Sequence, residues 1–179
     1  MEIGVANGHS TFITLSALAR NGKGKLDSIG ISPNVSSLLA EDLKRNWELI
    51  VLPKASKKAL DNALKSLDPI DIFIHDSNHL YYWQEVEYNT AFKYVKSQGF
   101  IMSDDVDFSY AFLDFIRDKS LDAYFLYDTR KIFGITRKKW LITSLMSFFE
   151  FAERMIKLTV YCLTLIRGIP FTNRLLLLI

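Results

Sequence analysis

A chain of 179 residues with 49% hydrophobic residues is long enough to bury one substantial core, and too apolar for wholesale disorder. Its formal charge of +2 gives no overall bias towards nucleic acid, which is not an expected partner. The single Cys162 excludes an internal disulfide framework and fits a reducing compartment; no basic start leads into an apolar stretch as in a secretory signal, so the expected location is cytoplasmic.

In chain order, residues 1–5 read as a strand end, and Ala6-Asn7-Gly8-His9-Ser10 as a turn into a helix over 11–19 that Ser10 or Thr11 can cap. Gly4 and Gly8 stand where a chain leaving a strand passes close to a ligand, although an ordinary tight turn uses the same residues. A Gly-rich turn over 21–25 precedes a second strand over 26–31. Residues 33–46 read as loop and short helix, with Ser36 or Ser37 ahead of Glu41 in a capping pattern. A third strand covers 49–52. The helix over 56–67 places Ala59, Leu60, Ala63, Leu64 and Leu67 on one side.

The stretch from Ile70 to Asp105 organises the rest. It opens Ile70-Asp71-Ile72-Phe73-Ile74-His75-Asp76-Ser77-Asn78-His79 and closes Gln98-Gly99-Phe100-Ile101-Met102-Ser103-Asp104-Asp105. Each end is a β-branched and aromatic run that stops in carboxylates, as a buried strand does on surfacing. The helical pattern between them has Val86, Thr90, Tyr94 and Val95 on one face and Gly99 as its stop. The right-handed crossover of a βαβ unit makes the strands parallel, so Asp76 and His79 arrive at the same sheet edge as Asp104 and Asp105. A further helix over 108–118 turns Phe112, Phe115 and Ile116 inward. Strands over 123–127 and 131–137 form a hairpin across Asp128-Thr129-Arg130. The expected fold is α/β: a Rossmann-like, doubly wound, mostly parallel sheet with a C-terminal antiparallel hairpin.

The pattern changes after residue 138, which sets a boundary between a domain over 1–138 and an apolar helical extension over 139–179. Over 140–166, Leu141, Leu145, Phe148, Phe149, Ala152, Met155, Ile156 and Leu163 share a helical face opposite Ser147, Glu150, Arg154 and Lys157. The charges argue against a spanning helix, which needs about 20 mostly apolar residues. Arg137, Lys138, Lys139 and Trp140 precede it as at an interfacial helix. Packing on the sheet, contact with a second copy and contact with a membrane surface all remain open for this segment. The apolar run over 175–179 is too short to span.

The order Glu-x-Gly-x-x-x-Gly from Glu2, then Asp71-Ile-Phe-Ile-His-Asp-Ser-Asn-His79, then Gly99-Phe-Ile-Met-Ser-Asp-Asp105 resembles the class I S-adenosylmethionine-dependent methyltransferases. Within them it is most similar to the metal-dependent O-methyltransferases of the catechol and macrolide-sugar type. The likeness covers residues 1–138. Asp-x-x-His followed by the Asp-Asp pair is its more specific marker, and the strand over 131–137 resembles the family's last strand.

The resemblance implies methyl transfer from S-adenosylmethionine to a hydroxyl of a small molecule or sugar. It implies that Asp76, Asp104 and Asp105 hold one divalent cation, Mg²⁺ first among candidates; three hard oxygen ligands also suit Ca²⁺ or Mn²⁺ better than zinc. His79 is then the general base for the acceptor hydroxyl, and Glu2, Gly4 and Gly8 surround the methionine half of the cofactor. Ser10 and Thr11 add contacts, with His75 and Asp76 near the acid-rich edge. The plain alternatives are that Asp104 and Asp105 cap the helix near Phe108, that Asp76 caps the helix after His79, and that His79 only bonds a carboxylate. Tyr81, Tyr82 and Trp83 are candidates for an acceptor wall or for ordinary packing.

The chain departs from the family pattern in three places. Gly30 stands where the second strand usually ends in a ribose-gripping acid, and Asp27 lies three residues too early to replace it. Gly99-Phe100 stands for a Gly-Gly pair. Met1 falls inside the expected first strand, so that strand is truncated and the helices that normally precede it are missing: a fragment or late start, or a fold in which the terminal helix compensates. A degenerate, non-catalytic member that contacts a partner or a membrane is the rival reading.

Overall fold

The computed structural model describes residues 1–139, except Ser36, Leu38, Ala55 and Thr129. The elements are β1 (Glu2–Ile3), α1 (His9–Asn21), β2 (Leu26–Gly30), a 3-10 turn (Leu43–Asn46), β3 (Trp47–Val51), α2 (Lys57–Lys65), β4 (Ile70–His75), α3 (Tyr81–Tyr94), β5 (Val95–Ser103), α4 (Ala111–Asp118), β6 (Ala123–Asp128) and β7 (Lys131–Arg137). The extension expected over 140–179, with its amphipathic stretch over 140–166, lies outside the described residues.

The strands form one sheet in the order β3-β2-β1-β4-β5-β7-β6. The five strands from β3 to β5 are parallel, whereas β7 runs antiparallel to both β5 and β6. The expected α/β sheet with an antiparallel edge is what forms. Two-residue β1 lies between β2 and β4, pairing Glu2 with Ser28 and Ile3 with His75.

Alternation along the strands sorts the core into two layers. Ile3, Ile29, Phe73 and Ile101 face Leu60, Leu64, Val86, Tyr88, Phe112 and Phe115 from α2, α3 and α4, all buried. One residue out of phase, Glu2, Leu26 and Ser28 face the other way, where Leu26 joins Leu15 of α1 and Leu39 in a smaller cluster. On that second face Ile72 and Phe100 are 43% and 38% exposed.

Several element ends differ from the sequence reading. Helix α1 starts two residues early, and its N-cap is Gly8 with no side-chain cap bond, so neither Ser10 nor Thr11 caps it. The turn closes through the backbone, Gly8 N–H donating to Val5 O at 2.7 Å, and the Thr11 hydroxyl is drawn to Glu2. Among the described residues within 33–46 the helix that forms is the short 3-10 turn, with no α-helix. Ser56, read as the first residue of α2, is instead its N-cap and accepts from Ala59 N–H. Helix α4 starts at Ala111 rather than at 108.

Gly99 does not stop α3. The helix ends at Tyr94, and Gly99 lies within β5, next to a register shift between Ile70 and Ile72. A Cβ there would lie 2.9 Å from Asp71 O, so the close approach of two backbones demands glycine. The end of α3 is held instead by Lys138, whose Nζ donates to Phe92 O at 2.6 Å and Val95 O at 2.7 Å, with the Phe92 ring 4.6 Å away. Two charge-assisted bonds from a buried ammonium are worth about 1–3 kcal/mol. Lys138→Met should therefore lower the unfolding free energy by about that amount in urea titrations.

Candidate active site

The site grows from the carboxyl ends of β1, β4 and β5. Asp76 N–H donates to Ile3 O at 2.9 Å and Asp104 N–H to His75 O at 3.0 Å, which ties the three strand ends together edge to edge. The chain leaves β1 at Gly4, with φ +96°, where a Cβ would sit 1.8 Å from Asp76 O. Only glycine lets β1 pass so close to the end of β4. Beyond it opens a cavity of about 580 Å³, at the point where the strand order reverses between β1 and β4. Open α/β sheets bind ligands at such a crevice, and the volume suits a nucleoside-sized cofactor. Gly4, Gly30, Ser32, Lys54, Asp76 and Trp83 contribute to its wall. Gly30 therefore faces the cavity where an acid was expected. Asp27 lies at the start of β2, with its carboxylate 3.7 Å from Lys25 Nζ.

Of the three expected acids, Asp76 lines this cavity. Asp76 is half-buried, and its carboxyl is held above the usual carboxylate range, first by burial and then by the negative charge of Asp104; the Ser10 hydroxyl opposes this. His79 Nε2 lies 3.7 Å from Asp105 Oδ2, and this buried nitrogen has no hydrogen-bond partner. The His79 ring stands edge-on to His75 at 5.6 Å and tilted against Phe108 at 5.9 Å. The capping alternatives do not hold. The N-cap of α3 is Leu80 and that of α4 is Tyr110, neither with a side-chain cap bond, and Ser109 Oγ takes the Ala111 N–H.

For a divalent cation the donor set fits in kind, being hard oxygens, and a half-buried Asp76 facing Asp104 is an arrangement that positive charge relieves. As placed, no three His, Cys, Asp or Glu side chains among the described residues stand close enough together to enclose an ion. Lys131, at the start of β7, hydrogen-bonds Asp104 Oδ2 and stands 3.8 Å from Asp105 Oδ1.

Of the residues expected around the cofactor, Gly4 and Asp76 line the cavity, whereas Glu2, Gly8, Ser10, Thr11 and His75 do not. Glu2 is fully buried; its Oε2 accepts from Thr11 at 2.7 Å and Ser28 at 2.8 Å, while Oε1 has no partner. It ties β1 to α1 and β2 from beneath the turn. His75 is also fully buried, with Nε2 3.0 Å from Glu87 Oε2 but without an aligned hydrogen bond. Trp83 reaches the cavity; Tyr81 and Tyr82 point to solvent, and Tyr81 bonds Asp114.

Sequence reasoning did not single out Glu87 or Lys131. Glu87 is 2% exposed, touches the cavity and accepts from Ser77 Oγ at 2.6 Å, which fixes the loop after Asp76. Its signal was available: it shares a buried helical stripe with Gln84, Tyr88 and Ala91, where a carboxylate is unusual. Lys131 gave no signal, because nothing local marks which distant acid a hairpin lysine will meet.

A family model for a methyltransferase domain matches residues 1–106. No curated protein matches the sequence. Among solved structures, the MycE methyltransferase of the mycinamycin biosynthetic pathway, in complex with Mg and SAH, aligns with a TM-score of 0.59 at 17% identity, over 79% of this chain and 45% of that one. The chain thus spans about half the length of MycE. An O-methyltransferase from Bacillus cereus in complex with SAH aligns with a TM-score of 0.58 at 16% identity, over 76% of this chain and 72% of that one. The protein SMU.1697c from Streptococcus mutans in complex with SAH gives 0.56 at 13%, over 76% and 87%. No helix among the described residues is long and apolar enough to cross a membrane. With the family model covering more than half of its length, this chain belongs to the methyltransferase domain family and carries the fold of S-adenosylmethionine-dependent enzymes.

Proposed function

We propose that the chain transfers a methyl group from S-adenosylmethionine to a hydroxyl of a small molecule or sugar, with one divalent cation, Mg²⁺ by preference, held by Asp76, Asp104 and Asp105. The observation that carries this is Asp76 in the wall of the cavity at the strand-order reversal, with Asp104 N–H on His75 O at the neighbouring strand end and His79 Nε2 3.7 Å from Asp105 Oδ2. The cofactor supplies an electrophilic methyl on a sulfonium. A cation held by Asp76, Asp104 and Asp105 would supply Lewis acidity that lowers the pKa of a hydroxyl.

The chain's own residues supply the rest. Gly4 lets the end of β1 pass against the Asp76 backbone at the wall of the cavity where the cofactor would lie. Glu87, through Ser77, sets the loop that carries Asp76 towards the cavity, so that donor and acceptor meet in line. His79 Nε2, buried and without a hydrogen-bond partner, would take the proton of the acceptor hydroxyl as the oxygen–methyl bond forms and the sulfur–methyl bond breaks, with S-adenosylhomocysteine as the leaving group. Trp83 gives the cavity an apolar wall that keeps water from the sulfonium.

The test pairs calorimetry with turnover. The expected result is S-adenosylmethionine binding, methylation of a catechol or sugar panel that stops with chelator, and no metal-stimulated activity in Asp104→Ala. Turnover undiminished by chelator overturns the metal part. Gly30 in the cavity wall favours the non-catalytic rival, which predicts a folded protein that binds no cofactor even at millimolar concentration.

A further inference from the structure

We propose that Glu87 reads the charge of the cofactor: its buried carboxylate, in the wall of the cavity, favours the sulfonium of S-adenosylmethionine over the neutral thioether of S-adenosylhomocysteine. This rests on the cofactor reading above and needs no metal.

A carboxylate in a helix face at 2% exposure has given up its water, which is costly unless polar partners replace it. Two groups approach it, and both engage the same oxygen. Ser77 Oγ donates to Oε2 at 2.6 Å, and His75 Nε2 stands 3.0 Å from Oε2. His75 is itself backed from the core, its Nδ1 3.5 Å from Ser103 Oγ, which shares a hydrogen bond of 2.6 Å with Tyr88. Val86 and Tyr88 on either side of Glu87 are buried in the main core, so α3 holds the carboxylate at a fixed point. Oε2 is thus taken up by the protein, and Oε1 is the oxygen offered to a ligand.

The charges around the cavity give it a direction. Among the described residues of its wall, the ionisable side chains are Lys54, Asp76 and Glu87. Lys54 follows β3 and Asp76 follows β4, and the order β3-β2-β1-β4 puts three strand spacings, ~14 Å, between those strands. Glu87 is joined to the β4 end through Ser77 and His75. The cavity is therefore negative at its β4 end, and the positive centre of a bound ligand is drawn there. On methyl transfer the sulfur–methyl bond breaks and its electron pair stays on sulfur, so the sulfonium becomes a neutral thioether. An interaction of charge with Glu87 is lost at that step, whereas packing against Trp83 is not. A residue that only fixed the loop after Asp76 would affect both forms of the cofactor alike.

The experiment is calorimetric titration of S-adenosylmethionine and of S-adenosylhomocysteine into the wild-type chain, Glu87→Gln and Glu87→Asp, each checked by thermal melting. Glu87→Gln is expected to weaken S-adenosylmethionine binding about tenfold and S-adenosylhomocysteine binding by less than about threefold. Glu87→Asp keeps the charge but withdraws it by about one bond length, ~1.5 Å. It should shift the ratio of the two affinities in the same direction by about threefold, and it decides the matter where Glu87→Gln does not fold. An unchanged ratio, whether both affinities fall together or neither moves, overturns the charge reading and leaves the cofactor reading intact. A wild-type chain that binds neither compound overturns both.

Discussion

Gly4→Ala should be the most damaging single substitution at the site. The Gly4 backbone has φ +96°, and an added Cβ would stand 1.8 Å from Asp76 O and 2.4 Å from Asp76 C. Holding a non-glycine residue at positive φ costs about 1–3 kcal/mol. The clash adds to that, because both partners are backbone and cannot turn away. Relief would require β1 and β4 to separate, yet Gly4 N–H donates to Ile29 O and Asp76 N–H to Ile3 O, so separation also breaks the inner ladder. We expect a loss of at least ~3 kcal/mol in urea-induced unfolding, with no measurable S-adenosylmethionine binding in any fraction that stays folded. A Gly4→Ala protein with unchanged unfolding midpoint and cofactor affinity would show that this crossing is not as tight as described.

The second large effect falls on turnover rather than on folding. His79 stands two residues before the start of α3, and its side chain, 21% exposed, is in neither buried hydrophobic cluster. Its Nε2 is the buried, unpartnered atom beside the acids. His79→Ala should lower kcat by roughly 10²–10⁴-fold, the usual contribution of a positioned base. Melting temperature and S-adenosylmethionine affinity should stay close to wild type. A fall in kcat matched by lost cofactor binding would assign His79 a structural task. The contrast with His75, four residues earlier, is instructive: fully buried against Glu87 and Tyr88, it belongs to the core beneath the site.

How far each of these residues was readable follows from the range over which its environment is set. The alternation of strands and helices, the βαβ unit from Ile70 to Ser103 and the arrival of Asp76 and Asp104 at one edge follow from local pattern plus the handedness of the crossover. The hairpin of β6 and β7 was equally legible from its short connection. Element ends were less so. Gly99 carries the mark of a helix stop, yet the chain uses it for a close crossing with Asp71, because its neighbour in space is a strand 28 residues upstream.

Side-chain roles were the hardest to read, for the same reason. Strand parity puts Glu2 and Ile3 on opposite faces, but nothing in the Glu2 segment says that Thr11 and Ser28 will absorb its carboxylate on the α1 side. A buried carboxylate takes whichever donors the assembled elements bring to it. Lys131 shows this most clearly: in the chain it is one basic residue after a turn, and its place against Asp104 exists because β7 docks antiparallel on β5 and the Asp107 carboxylate catches the Ile132 N–H. Periodicity and turn chemistry act over a few residues and so are written along the chain. The partners of a charged group come from segments far apart in sequence, and folding alone brings them within a few ångströms.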